Sequence, residues 1–247
     1  MNKIEPPIRA IIFDLGDTLM VPIGSWPNVF QAGAVALESW LCENSYLPQN
    51  SQFHALFLNS LQLYYSNRES SRRELGTFEM LRSLLSRTAL VSVPDAHVKK
   101  ALDEFYKITR KNWQADPLAL PTLKRLQEAG FELGMISNAG NRDDVQKLVK
   151  KFGFSPYLRF IITSYDVGYR KPDPRIFAAV DSRWQIAARQ TLMVGDRTDT
   201  DILGGKAAGM RTAWINRHQA KNKLARAHPD LEISSLDELI RLAPPSS

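Results

Sequence analysis

The side chains of this 247-residue chain that can do chemistry stand where apolar runs stop. Ile8 and Ala10 to Phe13 lead to Asp14, with Gly16 and Asp17 just behind it. Phe131 to Ile136 leads to Ser137 and Asn138, and Phe160 to Thr163 is followed after a few residues by Lys171. Thr191 to Val194 leads through Gly195 to Asp196, with Asp201 shortly beyond. A short, continuous apolar run reads as a strand buried on both faces of a parallel sheet. Ligands of open α/β sheets bind just past the carboxyl ends of such strands. Parallel strands would bring these carboxylates, the hydroxyl, the carboxamide and the ammonium to one edge. Each has a plainer explanation. Asp14, Asp17, Ser137 and Asn138 are ordinary turn residues. Lys171 can be a surface lysine, and Asp201 a capping-box acid three residues after Thr198. Four strand ends carrying such groups on one edge favour a functional crevice over four separate accidents.

The elements that would position these groups follow from periodicity. After Leu19 the strand-helix alternation stops, and Val21 to Trp26, with Pro22 and Gly24, reads as a linker. Apolar residues then recur at helical spacing: Phe30, Ala34, Leu37 and Leu41; Phe53, Leu56, Phe57, Leu61 and Tyr64; Phe78, Leu81 and Leu85; Val98, Leu102, Phe105 and Ile108. Breakers at Pro48, the Ser66 to Ser71 stretch and Pro94 separate these patterns, which predicts a four-helix bundle. His54 and His97 fall among them without a partner at ligand spacing, so both read as surface or packing histidines. Strands return after Asp116-Pro117, and Arg211 to Asn216 is the fifth. Asn141 and Asp173 are placed to cap helices, with Pro174 at the first helical position. Ser235 to Leu242 reads as a terminal helix. The fold class is therefore α/β: a doubly wound parallel, Rossmann-like sheet with an all-helical insertion. Residues 1–20 and 115–247 form the core, and residues 21–114 form the insertion.

Composition narrows the function classes. With 44% apolar and 23% charged residues the chain is neither disordered nor fibrous. No apolar stretch nears the roughly 20 residues that span a bilayer, and no secretory leader is visible, so a cytoplasmic protein without a membrane partner is expected. Cys42 is the only cysteine and reads as a buried thiol. The net charge of +6 raises the question of nucleic acid. The basic residues are scattered, however, apart from Arg72-Arg73 and Lys221 to Arg226, so no nucleic-acid partner is expected. A basic rim would help to attract an anionic substrate.

The motifs Phe13-Asp14-Leu15-Gly16-Asp17-Thr18-Leu19, Ile136-Ser137-Asn138, Arg170-Lys171-Pro172-Asp173-Pro174 and Val194-Gly195-Asp196-Arg197-Thr198-Asp199-Thr200-Asp201 occur in an order and spacing with a known counterpart. The sequence resembles the haloacid dehalogenase-like (HAD) superfamily, mostly phosphoryl-transfer enzymes, over nearly its whole length. The insertion resembles that family's helical cap of the first type. The resemblance implies that Asp14 is a nucleophile forming an aspartyl-phosphate. It implies Mg²⁺ held by Asp14, Asp196 and the backbone carbonyl of Gly16, with Asp201 ligating or orienting the metal's waters. Lys171 would hold the nucleophile and a phosphate oxygen. Ser137, Asn138 and nearby backbone N–H groups would bind the phosphoryl of a small phosphorylated metabolite.

The chain departs from the family at Gly16, where phosphatases usually carry an Asp that protonates the leaving oxygen and activates water. Such acid–base help is worth about 10²–10⁴ in rate. Asp17 is the nearest substitute, but in an extended strand it faces the other way, and only a turn straight after Leu15 would bring it round. Three readings result: a Mg²⁺-dependent phosphatase, a catalytically weakened binding or regulatory protein of the same fold, and a 2-haloacid dehalogenase. Dehalogenases of the family work without metal and usually carry an aromatic residue where Gly16 stands. Asp196 and Asp201 speak against that third reading, because carboxylates crowding an uncharged carbon without a cation are costly.

Overall fold

The computed structural model describes residues 7–217 and 227–242, with the side chains of residues 68–70 outside that description. Strand β1 (Ala10–Phe13) is followed by β2 (Met20–Pro22) and helices α1 (Trp26–Glu43), α2 (Phe53–Ser71), α3 (Thr77–Thr88) and α4 (Asp95–Thr109). Then come β3 (Trp113–Ala115), α5 (Ala119–Glu128), β4 (Glu132–Ser137), α6 (Arg142–Lys151), β5 (Phe160–Thr163), and the short α7 (Ser164–Val167) and α8 (Pro174–Ala178). Strand β6 (Thr191–Gly195), α9 (Leu203–Ala207), β7 (Arg211–Ile215) and β8 (Leu231–Ile233) complete the order.

The main sheet runs β5-β4-β1-β6-β7-β8, parallel throughout. Strand β1 is central and fully buried because its residues alternate between two cores. Ile11 and Phe13 join Leu123, Leu133 and Val149 on one face, while Ala10 and Ile12 join Ile136, Phe177 and Met193 on the other. Register fixes the working edge. Phe13 lies opposite both Met135 and Val194, so Asp14, Ile136 and Gly195 come next at one level. The expected convergence of strand ends is realised.

Helices α1 to α4 enclose a core of their own, including Ala34, Leu37, Leu41, Phe57, Leu81, Leu85, Val98, Leu102 and Phe105. Leu56, assigned by spacing to the buried side of α2, is instead 39% exposed. His54 Nδ1 lies 2.5 Å from Glu38, and His97 Nδ1 lies 2.5 Å from the Tyr46 hydroxyl. Both histidines are thus tied into the helices' own packing. The Cys42 thiol is buried and donates to the Pro48 carbonyl.

Three local features differ from the sequence reading. The stretch read as a linker begins as β2, which pairs antiparallel with β3, so the chain enters and leaves the helical insertion through one two-stranded ribbon. A sixth strand, β8, extends the sheet beside β7. Leu236–Leu242 is a 3₁₀ helix rather than an α-helix. Three-residue strands carry too little periodicity to be read from sequence, and their pairing is decided by tertiary contact. The basic group Lys221 to Arg226 and the Arg68 side chain lie outside the described residues.

Candidate active site

The crevice beyond β1, β4 and β6 is built around a buried ammonium. Lys171 Nζ lies 2.6 Å from Asp14 Oδ1 and 2.6 Å from Asp201 Oδ1, and donates to the Ile136 carbonyl at 2.9 Å. Burial pulls the Lys171 ammonium down, but Asp14 and Asp201 outweigh it and leave it above the ordinary lysine range. Its backbone is set by Asn138, whose Oδ1 accepts from the Lys171 N–H at 2.7 Å and whose Nδ2 donates to the Lys171 carbonyl at 3.1 Å. Asn138 therefore spends its amide on positioning Lys171. Ser137, buried at the end of β4, lines the same cavity.

Asp14, Asp196 and Asp201 each offer an oxygen, and these oxygens lie within 4.8 Å of one another. Burial, followed by the attraction of Lys171 and the repulsion of Asp201, leaves the Asp14 carboxyl at about 6. Burial and the charges of Asp14, Asp201 and Asp17 push Asp196 to about 8. Three clustered carboxylates with a single buried ammonium leave negative charge uncompensated, and this donor set fits a hard divalent cation. The cluster is held from outside. Trp214 Nε1 donates to the Asp196 carbonyl at 2.8 Å, and the Arg197 N–H donates to Asp201 Oδ2 at 3.1 Å. Gly195 leaves the room: a Cβ there would sit 2.3 Å from the Asp201 carboxyl.

The turn needed after Leu15 is present. The N–H groups of Leu19 and Met20 both donate to the Leu15 carbonyl, and Asp17 takes a left-handed φ of 56°. Asp17 is exposed and lines the cavity, and its charge reaches Asp196. Arg217 clamps the turn, donating to the carbonyls of Asp17 and Thr18 and pairing with Asp116 at 2.7 Å.

The cavity, of about 580 Å³, continues into the helical insertion. Trp26, Trp113 and Arg72 all line it. Trp113 stands over Gly16, with its Cη2 3.3 Å from where a Cβ would be. Polar bridges join the insertion to the core around this space. Arg110 pairs with Asp144 at 2.8 Å and with Asp103 at 2.9 Å, and the Thr77 N–H donates to the Gly140 carbonyl at 3.1 Å. Glu74, fully enclosed, meets Arg170 and Ser164, and burial raises its carboxyl. The Asp144 carboxyl stays at about 6, because burial outweighs Arg110. Arg217, Arg110 and Asp144 support the walls of this space without any local sequence signal that marks them. No helix of the described residues is long and apolar enough to cross a membrane.

The chain is similar to several known proteins. Phosphoserine phosphatase of Thermus thermophilus is 29% identical over 237 residues, covering 95% of this chain and 91% of its own. Glyceraldehyde 3-phosphate phosphatase of Methanopyrus kandleri is 33% identical over 127 residues, about half of either chain (50% and 54%). Among solved structures, 2-haloacid dehalogenase from Pseudomonas syringae pv. Tomato is 26% identical with a TM-score of 0.69, covering 95% of this chain and 97% of its own. The HAD-hydrolase YfnB from Bacillus subtilis, solved bound to magnesium, is 25% identical with a TM-score of 0.62, covering 96% and 99%. The model of haloacid dehalogenase-like hydrolases matches residues 8–209. By this match, whose range spans the carboxylate and lysine cluster, the chain belongs to the haloacid dehalogenase-like hydrolase family.

Proposed function

We propose that the chain is a phosphatase that hydrolyses a small phosphorylated compound through a phosphoryl group carried on Asp14. The observation that carries this reading is the grouping of Asp14, Asp196 and Asp201 around Lys171. A carboxylate approaching a phosphoryl dianion meets repulsion, so the reaction needs positive charge held in place beforehand. Lys171 supplies part of it from a buried, hydrogen-bonded position against the nucleophile. Asp14, Asp196, Asp201 and the Gly16 carbonyl would hold Mg²⁺, which when bound supplies the rest of the charge that phosphoryl transfer requires. Ser137 and the N–H groups of its turn would bind phosphoryl oxygens, with Asn138 keeping Lys171 aimed. Asp17 acts here on the field of the metal site through Asp196. Residues 21–114 serve as a cap over a core of residues 1–20 and 115–247, rocking on the β2–β3 ribbon. The named phosphatase activities of two relatives support the reaction class.

The test is hydrolysis of p-nitrophenyl phosphate with and without Mg²⁺, for the native chain and Asp14→Asn. Steady Mg²⁺-dependent release that Asp14→Asn abolishes is expected. A single stoichiometric burst would instead identify a weakened protein that cannot complete the cycle. Halide release from a 2-halo acid in the presence of chelator would replace the phosphatase reading with a dehalogenase.

A further inference from the structure

The wall that faces the phosphoryl site is aromatic, and its first member stands in the place of the missing acid. The Trp113 indole closes the space over Gly16, with carbon atoms at 3.3, 3.9 and 4.0 Å from a Cβ position. Trp113 meets Trp26 edge-on, with ring centroids 4.9 Å apart, and Trp26 meets Phe30 at 5.3 Å. Phe30 in turn reaches Tyr65 at 6.1 Å and Phe105 at 6.0 Å. All five rings line the cavity that holds Asp14 and Lys171. Its volume of about 580 Å³ has room for a ligand body well beyond a phosphate.

The wall has two chemical consequences. The indole edge that fills the space over residue 16 carries C–H groups and cannot protonate a departing oxygen. With no acid at residue 16, the site favours a leaving group that carries the negative charge itself, which a phenol, with a pKa of about 10, does far better than an aliphatic alcohol. The same rings offer edges and faces to a flat apolar group.

We propose that this site selects phosphate monoesters of flat, phenol-like leaving groups. The proposal rests on the phosphatase reading above and adds the substrate class to it. In the first step an Asp14 oxygen bonds to phosphorus as the bond to the aryl oxygen breaks. The electron pair departs on that oxygen as a phenolate, which takes its proton from bulk water. In the second step a water oxygen bonds to phosphorus as the bond to Asp14 breaks. Inorganic phosphate leaves, the water's proton passes to solvent, and the Asp14 carboxylate is restored.

The experiment compares kcat/KM of the native chain with Mg²⁺ on substituted phenyl phosphates, naphthyl phosphate, acetyl phosphate and glycerol phosphate. Rates should fall steeply as the leaving phenol becomes less acidic, and glycerol phosphate should trail phenyl phosphate by about 100-fold or more. The preference for naphthyl over acetyl phosphate should drop about tenfold in Trp113→Ala and be largely kept in Trp113→Phe, which retains a ring and guards against a folding artefact. Glycerol phosphate within about tenfold of phenyl phosphate would overturn the proposal. So would an Asp17→Asn variant that loses alkyl phosphate turnover selectively, because Asp17 would then be protonating the leaving group. Hydrolysis of acetyl phosphate without that of any aryl ester would sink the proposal and spare the phosphatase. Failure on every phosphate compound would sink both.

Discussion

Replacing Lys171 by Met removes the positive charge at the centre of the site while keeping its length and apolar stem. Lys171 is 1% exposed and is the cation paired with Asp14 and Asp201 among the described residues. Removing one partner of a buried ion pair typically costs about 3–5 kcal/mol, because the remaining charge stays buried. For a chain of this length that corresponds to a Tm lowered by about 6–20 °C. The loss has a pH signature whose sign follows from the carboxyls. Asp14 at about 6 and Asp196 at about 8 bind protons more tightly folded than unfolded, where an ordinary Asp ionises near 3.8. Each therefore makes stability fall as pH rises from the ordinary carboxylate range through its folded value. Lys171 limits that fall in the native chain. At about pH 9, with most of the Asp14 and Asp196 charge developed, the variant should show a large deficit, and at about pH 5, with both protonated, the deficit should shrink by half or more. Thermal unfolding followed by circular dichroism in chelator, at both pH values, reads this directly. An equal deficit at both pH values, or none at the higher one, would refute the claim that Lys171 neutralises these carboxylates.

Gly195→Ala, whose Cβ would sit 2.3 Å from the Asp201 carboxyl, should weaken Mg²⁺ binding in calorimetry by about tenfold or more and cost about 1–3 kcal/mol of stability. Asp17→Asn should change p-nitrophenyl phosphate turnover by no more than about threefold, since this good leaving group needs no acid and the exposed carboxylate's charge effect on Asp196 is screened. Arg110→Met strips Asp144 of its ion-pair partner while leaving Asp103 with Lys147. Its chemical-denaturation midpoint should fall relative to the native chain above about pH 6 and converge with it as Asp144 protonates below that value.

Most of the edge that forms the candidate site was legible because it depends on local pattern. Each apolar run of β1, β4 and β6 stops at the polar residue it presents, and parallel pairing does the rest. The caps at Asn141 and Asp173 were legible for the same reason: Asn141 Oδ1 accepts from the Asp144 N–H, and Asp173 from the Arg175 N–H. Gly16 could be read as a missing carboxylate, but not as a place filled by something else. Trp113 meets it only because β3 returns alongside β2, a pairing of three residues a side that no periodicity announces. Arg217 escaped notice for a similar reason, since its partners at Asp17, Thr18 and Asp116 come together only when the sheet closes. The burial of Glu74 against Arg170, and of Asp144 against Arg110, likewise exists only once the helices seat on the core. A charged residue in a helical pattern is otherwise read as solvated.

The central claim is that Asp14 carries the phosphoryl group. Rapid quenching of the Mg²⁺-loaded protein with radiolabelled p-nitrophenyl phosphate, followed by peptide mapping, tests it most directly. Label should appear within one turnover on the peptide that contains Asp14, decay as inorganic phosphate forms, and be absent from Asp14→Asn. Phosphate released at the native rate with no label on that peptide, or label persisting there in Asp14→Asn, would contradict the account.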